Sequence, residues 1–212
     1  SFGVMATIGT LLSQQFLNAG ADIVYTYLLG SYFLSKGVSL ASVGMLAMLP
    51  MAGGAAGGMF GGFLNDWMMR VTGSRRWGRA SVGFAGKFMA GAMLLVAIRQ
   101  DSELYAGLAL MVVKFFSDWT QPTVWGTCTD IGGRFSATLF SLNNTSGNVA
   151  ALLLPLMFGP MLDWFTTTDA AGAKTTNYDV VFYIVAGMYV ATACCWFIID
   201  CTKNLDSTAD DA

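Results

Sequence analysis

Histidine is missing from this sequence, and charge is scarce: of 212 residues 55% are hydrophobic and only 11% are Asp, Glu, Lys or Arg. Without histidine no Ser–His or Cys–His pair can activate a nucleophile, which excludes a six-helix intramembrane serine protease. The G-x-G-D motif of membrane aspartyl proteases is absent as well. The expectation is a protein that is not an enzyme, with no catalytic residues. Four cysteines, Cys128, Cys194, Cys195 and Cys201, fall in or beside apolar runs. Two are adjacent and no loop framework surrounds them, which suits neither a disulfide scaffold nor a zinc site. They read as small apolar core residues, and neither metal nor cofactor is expected. A net charge of −2 offers no basic surface, so nucleic acid is not an expected partner.

A soluble domain carries about 25% charged residues and must cover its surface with polar side chains whatever its core. The deficit here makes the lipid bilayer the solvent. A hydrocarbon core takes about 20 apolar residues per helix. Six stretches qualify: roughly 4–34, 40–64, 82–99, 104–127, 137–162 and 179–200. The fold class is therefore all-α, an integral membrane six-helix bundle forming one domain over 1–212. The first run begins almost at Ser1 without a charged leader or cleavage site. It reads as a span rather than a signal peptide, and the chain is expected to be cut from something longer.

Basic residues set the orientation. Outside the spans, Arg70, Arg75, Arg76, Arg79, Arg134 and Lys203 fall on one set of alternating links, and Lys36, Arg99 and Lys174 on the other. The richer set and both chain ends are expected in the cytoplasm, with the protein a multi-pass component of the plasma or inner membrane. The two halves of the chain echo each other. Gly62-Phe-Leu-Asn-Asp66-Trp67 ends the second span and Gly159-Pro-Met-Leu-Asp163-Trp164 the fifth, while Asp22 and Asp118 hold nearly the same offset in the first and fourth. This suggests a 3+3 inverted repeat, a device of secondary transporters.

Three spans carry polar stripes. In the fourth, Lys114, Asp118, Gln121 and Trp125 fall within about 60° at 100° per residue. An intramembrane charge costs several kcal/mol unless paired or wetted, which makes Lys114, Asp118, Asp22 and Lys87 candidates for coupling. Lys114 and Asp118, four apart, can also form a purely structural pair. Pro122 permits a bend nearby. The first span aligns Gln14, Asn18, Asp22 and Tyr25; the fifth aligns Ser141, Asn144 and Asn148. Interhelical hydrogen bonding accounts for such residues singly, whereas three stripes on three helices suggest a shared polar cavity. Gly53, Gly54, Gly57, Gly58, Gly61 and Gly62 form two rows expected to admit a neighbouring helix, so Gly58→Leu is expected to block assembly.

Gly62-x-x-x-Asp66, followed by Arg70, Gly73, Arg75, Arg76 and Arg79, resembles the loop signature of the major facilitator superfamily, in the form of its anion:cation symporters. Trp125-x-x-x-x-Asp130, Asn144-x-x-Gly147-Asn148 and Pro155-x-x-x-Gly159 resemble the tenth and eleventh helices of that family. Trp67 departs from the pattern, standing where the general signature has a basic residue. Arginines expected in a first half are missing, so the chain aligns with the second, C-terminal six-helix half of a 12-helix fold. The resemblance implies a secondary active symporter of organic anions such as sugar acids. Proton or sodium would be co-transported, and the N-terminal half of the same transporter would be partner. It implies substrate contacts at Trp125 and Asn144, to which the polar stripes add Asn148, Gln121, Tyr25 and Gln14. Gly62, Asp66, Arg70, Arg75, Arg76 and Arg79 match a gating loop. The alternative is a non-transporting sensor or an inactive fragment of the same fold.

Overall fold

The computed structural model describes residues 2–168 and 174–205, and the apolar runs of the sequence are its helices. The first run forms α1 (Phe2–Ile23), a π-helical turn (Val24–Leu28) and α2 (Leu29–Ser35). Then follow α3 (Leu40–Thr72), α4 (Arg75–Ala97), α5 (Glu103–Asp118), α6 (Gln121–Gly132), α7 (Ser136–Trp164) and α8 (Asp179–Ile198). Three helices, α3, α4 and α8, are each long and apolar enough to cross a membrane, as is the 62-residue run Glu103–Trp164. At 1.5 Å per residue that run would reach about 90 Å, three hydrocarbon cores. It turns back at Gly133–Phe135, where Gly133 takes φ 50°, and so supplies two segments, α5–α6 and α7. Gln14, Gln15, Asn18 and Asp22 dilute the apolarity of the remaining segment, α1–α2. The protein is thus a multi-pass membrane bundle of six helical segments.

Local chemistry sets the ends. Ser39 caps α3 by accepting from the Ser42 amide at 3.3 Å, and Ser74 caps α4 by accepting from Trp77 at 3.4 Å. Gly73, at φ 61°, makes the left-handed turn between α3 and α4. The expected polar link from Arg70 to Arg79 is therefore only two residues of turn, because the arginines continue the helices. Pro122 stands in the first turn of α6, just after the break at Trp119–Thr120, as the expected bend requires. The Thr166–Asn177 link holds a small antiparallel hairpin, β1 (Thr166–Thr168) with β2 (Lys174–Thr176), the described exception to an all-helical chain.

Packing repeats across the two halves. α3 lies on α5 as α7 lies on α1; α4 lies on α5 as α8 lies on α1; and α4 and α8 pack on each other. Exchanging α1 with α5, α3 with α7 and α4 with α8 preserves these contacts, as a 3+3 repeat demands, although α3 also packs on α4 without comparable packing of α7 on α8. The main core joins Tyr32, Phe33, Leu94, Leu110, Phe182 and Val185, with the Tyr32 and Phe182 rings edge-on at 5.0 Å. A smaller core gathers Leu11, Val124, Cys128, Ile131 and Trp196. Cys194 is exposed rather than in the core, on a face of α8 where lipid tolerates a thiol.

The glycine rows of α3 divide. A Cβ on Gly53, Gly57 or Gly61 would lie 1.9–2.2 Å from the carbonyl oxygens of Met111, Phe115 and Trp119, so this row seats α3 on α5 backbone to backbone. Gly58 and Gly62 meet nothing within 4 Å. The expectation that Gly58→Leu blocks assembly is therefore corrected. One residue is 100° of helix, and Gly57, not Gly58, faces the neighbour.

Candidate functional site

Lys114 of α5 stands between two carboxylates: Asp22 of α1 at 3.0 Å and Asp118, one turn along its own helix, at 2.9 Å. The Tyr25 ring lies under its ammonium at 5.5 Å. Both carboxylates sit where a helix is interrupted. Asp22 is the penultimate residue of α1, one residue short of the π-helical turn, and Asp118 is the last residue of α5. Their matching offsets in the sequence thus correspond to matching breaks, and interrupted helices are where π turns and transporter sites recur.

Each carboxylate also lines a cleft. Asp22, Gln15 and Tyr27 face Asn144, Gly147 and Asn148 across a cleft of about 310 Å³ between α1 and α7. Asp118, Gln121 and Trp125 face Gly54, Gly58 and Met59 across another of about 310 Å³ between α3 and the α5–α6 segment. Lys114 lines neither cleft but pairs with the carboxylate that lines each, and so links the two wings. A Cβ at Gly54 would fall 2.3 Å from Asp118 Oδ2, so the bare glycine leaves that carboxylate room. Trp125 is 54% exposed, and Asn144 and Asn148 are exposed as well. Each wing is at the small end of ligand-pocket volumes.

Lys87 of α4 is a different case, fully buried and facing neither cleft. Its ammonium donates to Asn18 Oδ1, and to the carbonyl and hydroxyl oxygens of Ser117, both at 2.9 Å. The Tyr189 ring lies 5.6 Å away. Gln14 is buried beside this interior seam, its amide without a hydrogen-bond partner among the described residues. Its neighbour Gln15 is the glutamine that reaches a cleft. The polar stripe runs through Gln14, Asn18 and Asp22, and Gln15, which lies off that alignment, is not apparent from it. Tyr25 lies beneath Lys114 and Tyr27 lines the cleft.

At the arginine-rich end, Arg79 is 7% exposed, pairs with Asp130 at 2.8 Å and donates to the Thr123 carbonyl at 3.3 Å. Arg75 reaches Asp130 at 3.5 Å, and Arg76 reaches Asp200, past the end of α8, at 3.4 Å. Burial alone would raise the Asp200 carboxyl, but hydrogen bonds from Thr202 and the charges of Arg76 and Lys203 outweigh it and hold it below the usual range. Asp66 and Arg70 are exposed, share a concavity of about 470 Å³ with Gly73 and Arg75, and form no ion pair among the described residues. Arg75, Arg76 and Arg79 are thus drawn to Asp130 and Asp200 rather than to Asp66. Gly62 is open on the same helix.

No family model matches the sequence. The chain is 28% identical over 192 residues to a probable sulfoacetate transporter of Cupriavidus necator, covering 89% of this chain and 42% of that protein. It is 25% identical over 158 residues to a probable galactarate/D-glucarate transporter of Escherichia coli, covering 74% and 35%. Against the chloroplastic sodium-dependent phosphate transport protein 1 of Arabidopsis thaliana it is 25% identical over 209 residues, covering 96% and 36%. The resemblance to the anion:cation symporters of the major facilitator superfamily holds. The chain spans less than half the length of these relatives, and they are named as transporters, not enzymes. In this chain the residues carrying the resemblance separate by place: Trp125, Asn144, Gly147 and Asn148 at the clefts, Asp130 in the arginine network.

Proposed function

We propose that this chain supplies the C-terminal six helices of a secondary active transporter of small organic anions, a symporter driven by protons or sodium. The observation that carries this reading is a face with two clefts, each lined by a carboxylate that pairs with the same Lys114, on a largely apolar membrane bundle. The N-terminal six helices would close that face, leaving a midplane site that opens alternately to each side as the bundles rock. Trp125 would pack its indole on the carbon skeleton of the anion. Asn144, Asn148 and Gln121 would hydrogen-bond its hydroxyls or acid oxygens. Asp66 and Arg70, exposed and unpaired, would latch one conformation against the other half, while Arg75, Arg76 and Arg79 brace their own end.

The full-length protein, reconstituted in liposomes, should accumulate at least one of sulfoacetate, galactarate and D-glucarate under an inward proton or sodium gradient, with Trp125→Ala losing most of the uptake. Folded protein that moves none of these under either gradient would count for the non-transporting sensor. The arginine-rich end and both termini are assigned to the cytoplasm of a plasma or inner membrane. An impermeant thiol reagent should therefore fail to label Ser74→Cys from outside intact cells when the native cysteines are removed.

A further inference from the structure

Lys114 is one ammonium serving two carboxylates, so the cluster carries one formal negative charge in excess. The neighbouring groups do not cancel it by pairing. Lys87 from α4 bonds the neutral oxygens of Asn18 and Ser117, and its charge acts on Asp22 and Asp118 only from beyond ion-pair distance. Tyr25 from the π-helical turn and Tyr189 from α8 offer rings and hydroxyls; α3 offers Gly54; and α7 offers the amides of Asn144 and Asn148 across the cleft. We propose that the transported anion competes with Asp22 and Asp118 for Lys114, and that the carboxylate it displaces takes up the co-transported cation.

The argument is one of charge. An acid group entering either cleft meets one of the two carboxylates that line them, with Lys114 directly behind it as that carboxylate's counter-ion. Pairing with Lys114 strips Asp22 or Asp118 of its counter-ion, and a carboxylate left unpaired within a membrane is strongly destabilised. Neutralising that carboxylate restores the balance. In the proton case an O–H bond forms on a carboxylate oxygen with a proton from the aqueous phase, and no other bond breaks in the protein. In the sodium case the same oxygens coordinate the ion. Adding the anion alone would take the cluster from one negative charge to two; adding one cation per anionic charge leaves it at one. Symport is then the charge-conserving path. The side chains of Asp22, Lys114 and Asp118 keep 29%, 16% and 19% of their surface accessible, enough for partners to exchange, whereas Lys87 has none. Both carboxylates border helix breaks, so a change of partner at either acts on backbone already interrupted.

This rests on the organic-anion reading and is tested apart from it. Calorimetry on the purified full-length protein would measure binding of sulfoacetate, galactarate, D-glucarate and phosphate across pH, in sodium or in choline. If a proton is the cation, anion affinity rises by up to about tenfold per unit fall in pH; if sodium, it rises with sodium at fixed pH. Asp118→Asn and Asp22→Asn, each removing a competitor, bind the anion about fivefold more tightly and with weaker cation dependence. Wild-type affinity indifferent to both pH and sodium overturns the proposal without any variant. Weaker binding in both Asn variants with cation dependence intact overturns it too, leaving the cluster a structural ion pair. Failure of every anion to bind folded wild-type protein removes the organic-anion reading, and this inference with it.

Discussion

Lys87 and Lys114 are two intramembrane lysines on neighbouring helices with opposite surroundings. Lys87 is sealed among neutral oxygens between α1, α4 and α5; Lys114 is held by two acids at the junction of two clefts. Adjacent pairs repeat the contrast one residue at a time. Gly57 seats a helix and Gly58 opens a cleft; Gln14 is interior and Gln15 lines a cleft; Asn143 is buried and Asn144 exposed. The same residue types thus serve two regions, a buried seam that holds the bundle and an open face proposed to meet a ligand. What separates them is the 100° step of a helix, not chemistry.

The sharpest break of that contrast is at the glycines. Gly57→Leu drives a side chain into the Phe115 carbonyl, at a cost of about 3 kcal/mol or more, and should yield little monodisperse protein on size exclusion. Gly58→Leu should assemble normally and lose anion affinity, because it fills a cleft. Next come the lysines. Lys87→Met strands Asn18 and Ser117 and should lower stability by about 2–3 kcal/mol in thermal melts, with the cation dependence of anion binding kept. Loss of that dependence would erase the distinction between the two lysines. Smaller again, Asn144→Ala should weaken equilibrium anion affinity about tenfold by calorimetry, whereas Asn143→Ala, which removes a buried amide whose oxygen has no hydrogen-bond partner among the described residues, should leave affinity alone and change stability by under about 1 kcal/mol. If the two behave alike, the face of α7 is misassigned.

The smallest effect lies outside the membrane. Asp200→Asn removes the partner of Arg76 and Lys203 and should cost under about 1 kcal/mol near neutral pH. The native-state carboxyl is held below its usual range, so the pair contributes above the ordinary aspartate range and is lost as pH falls through the lowered value. Melts of wild type and variant should converge only in strong acid.

Much of this was readable from residues, and the unread part has a physical pattern. Charge scarcity and apolar runs reveal a membrane bundle because lipid penalises every unpaired charge, and the Gly-Asp-Trp echo reveals the repeat because equivalent helix ends need equivalent residues. Pro122 announces the break before α6 by its missing N–H. The π-helical turn after Asp22 has no such herald, since Val24-Tyr-Thr-Tyr-Leu28 contains neither proline nor glycine. Which amide of the Gln14–Gln15 pair meets the cleft depends on where α7 and α8 pack, a non-local fact. The acids that claim the arginines, Asp130 and Asp200, lie 51 residues or more from Arg79 in sequence, counted to the nearer of them (130 − 79 = 51). Only Asp130 belonged to a recognisable motif.

The division into a sealed seam and an open face can be measured directly by cysteine reactivity in the full-length protein, with Cys128, Cys194, Cys195 and Cys201 replaced. Single cysteines at Asn144, Trp125, Gly58 and Ser117 would be timed against a small charged thiol reagent, with and without sulfoacetate or galactarate. The account predicts fast reaction at Asn144→Cys, Trp125→Cys and Gly58→Cys, slowed by a bound anion, and no reaction at Ser117→Cys while the protein stays folded. Reaction at Ser117→Cys as rapid as at Asn144→Cys would contradict it.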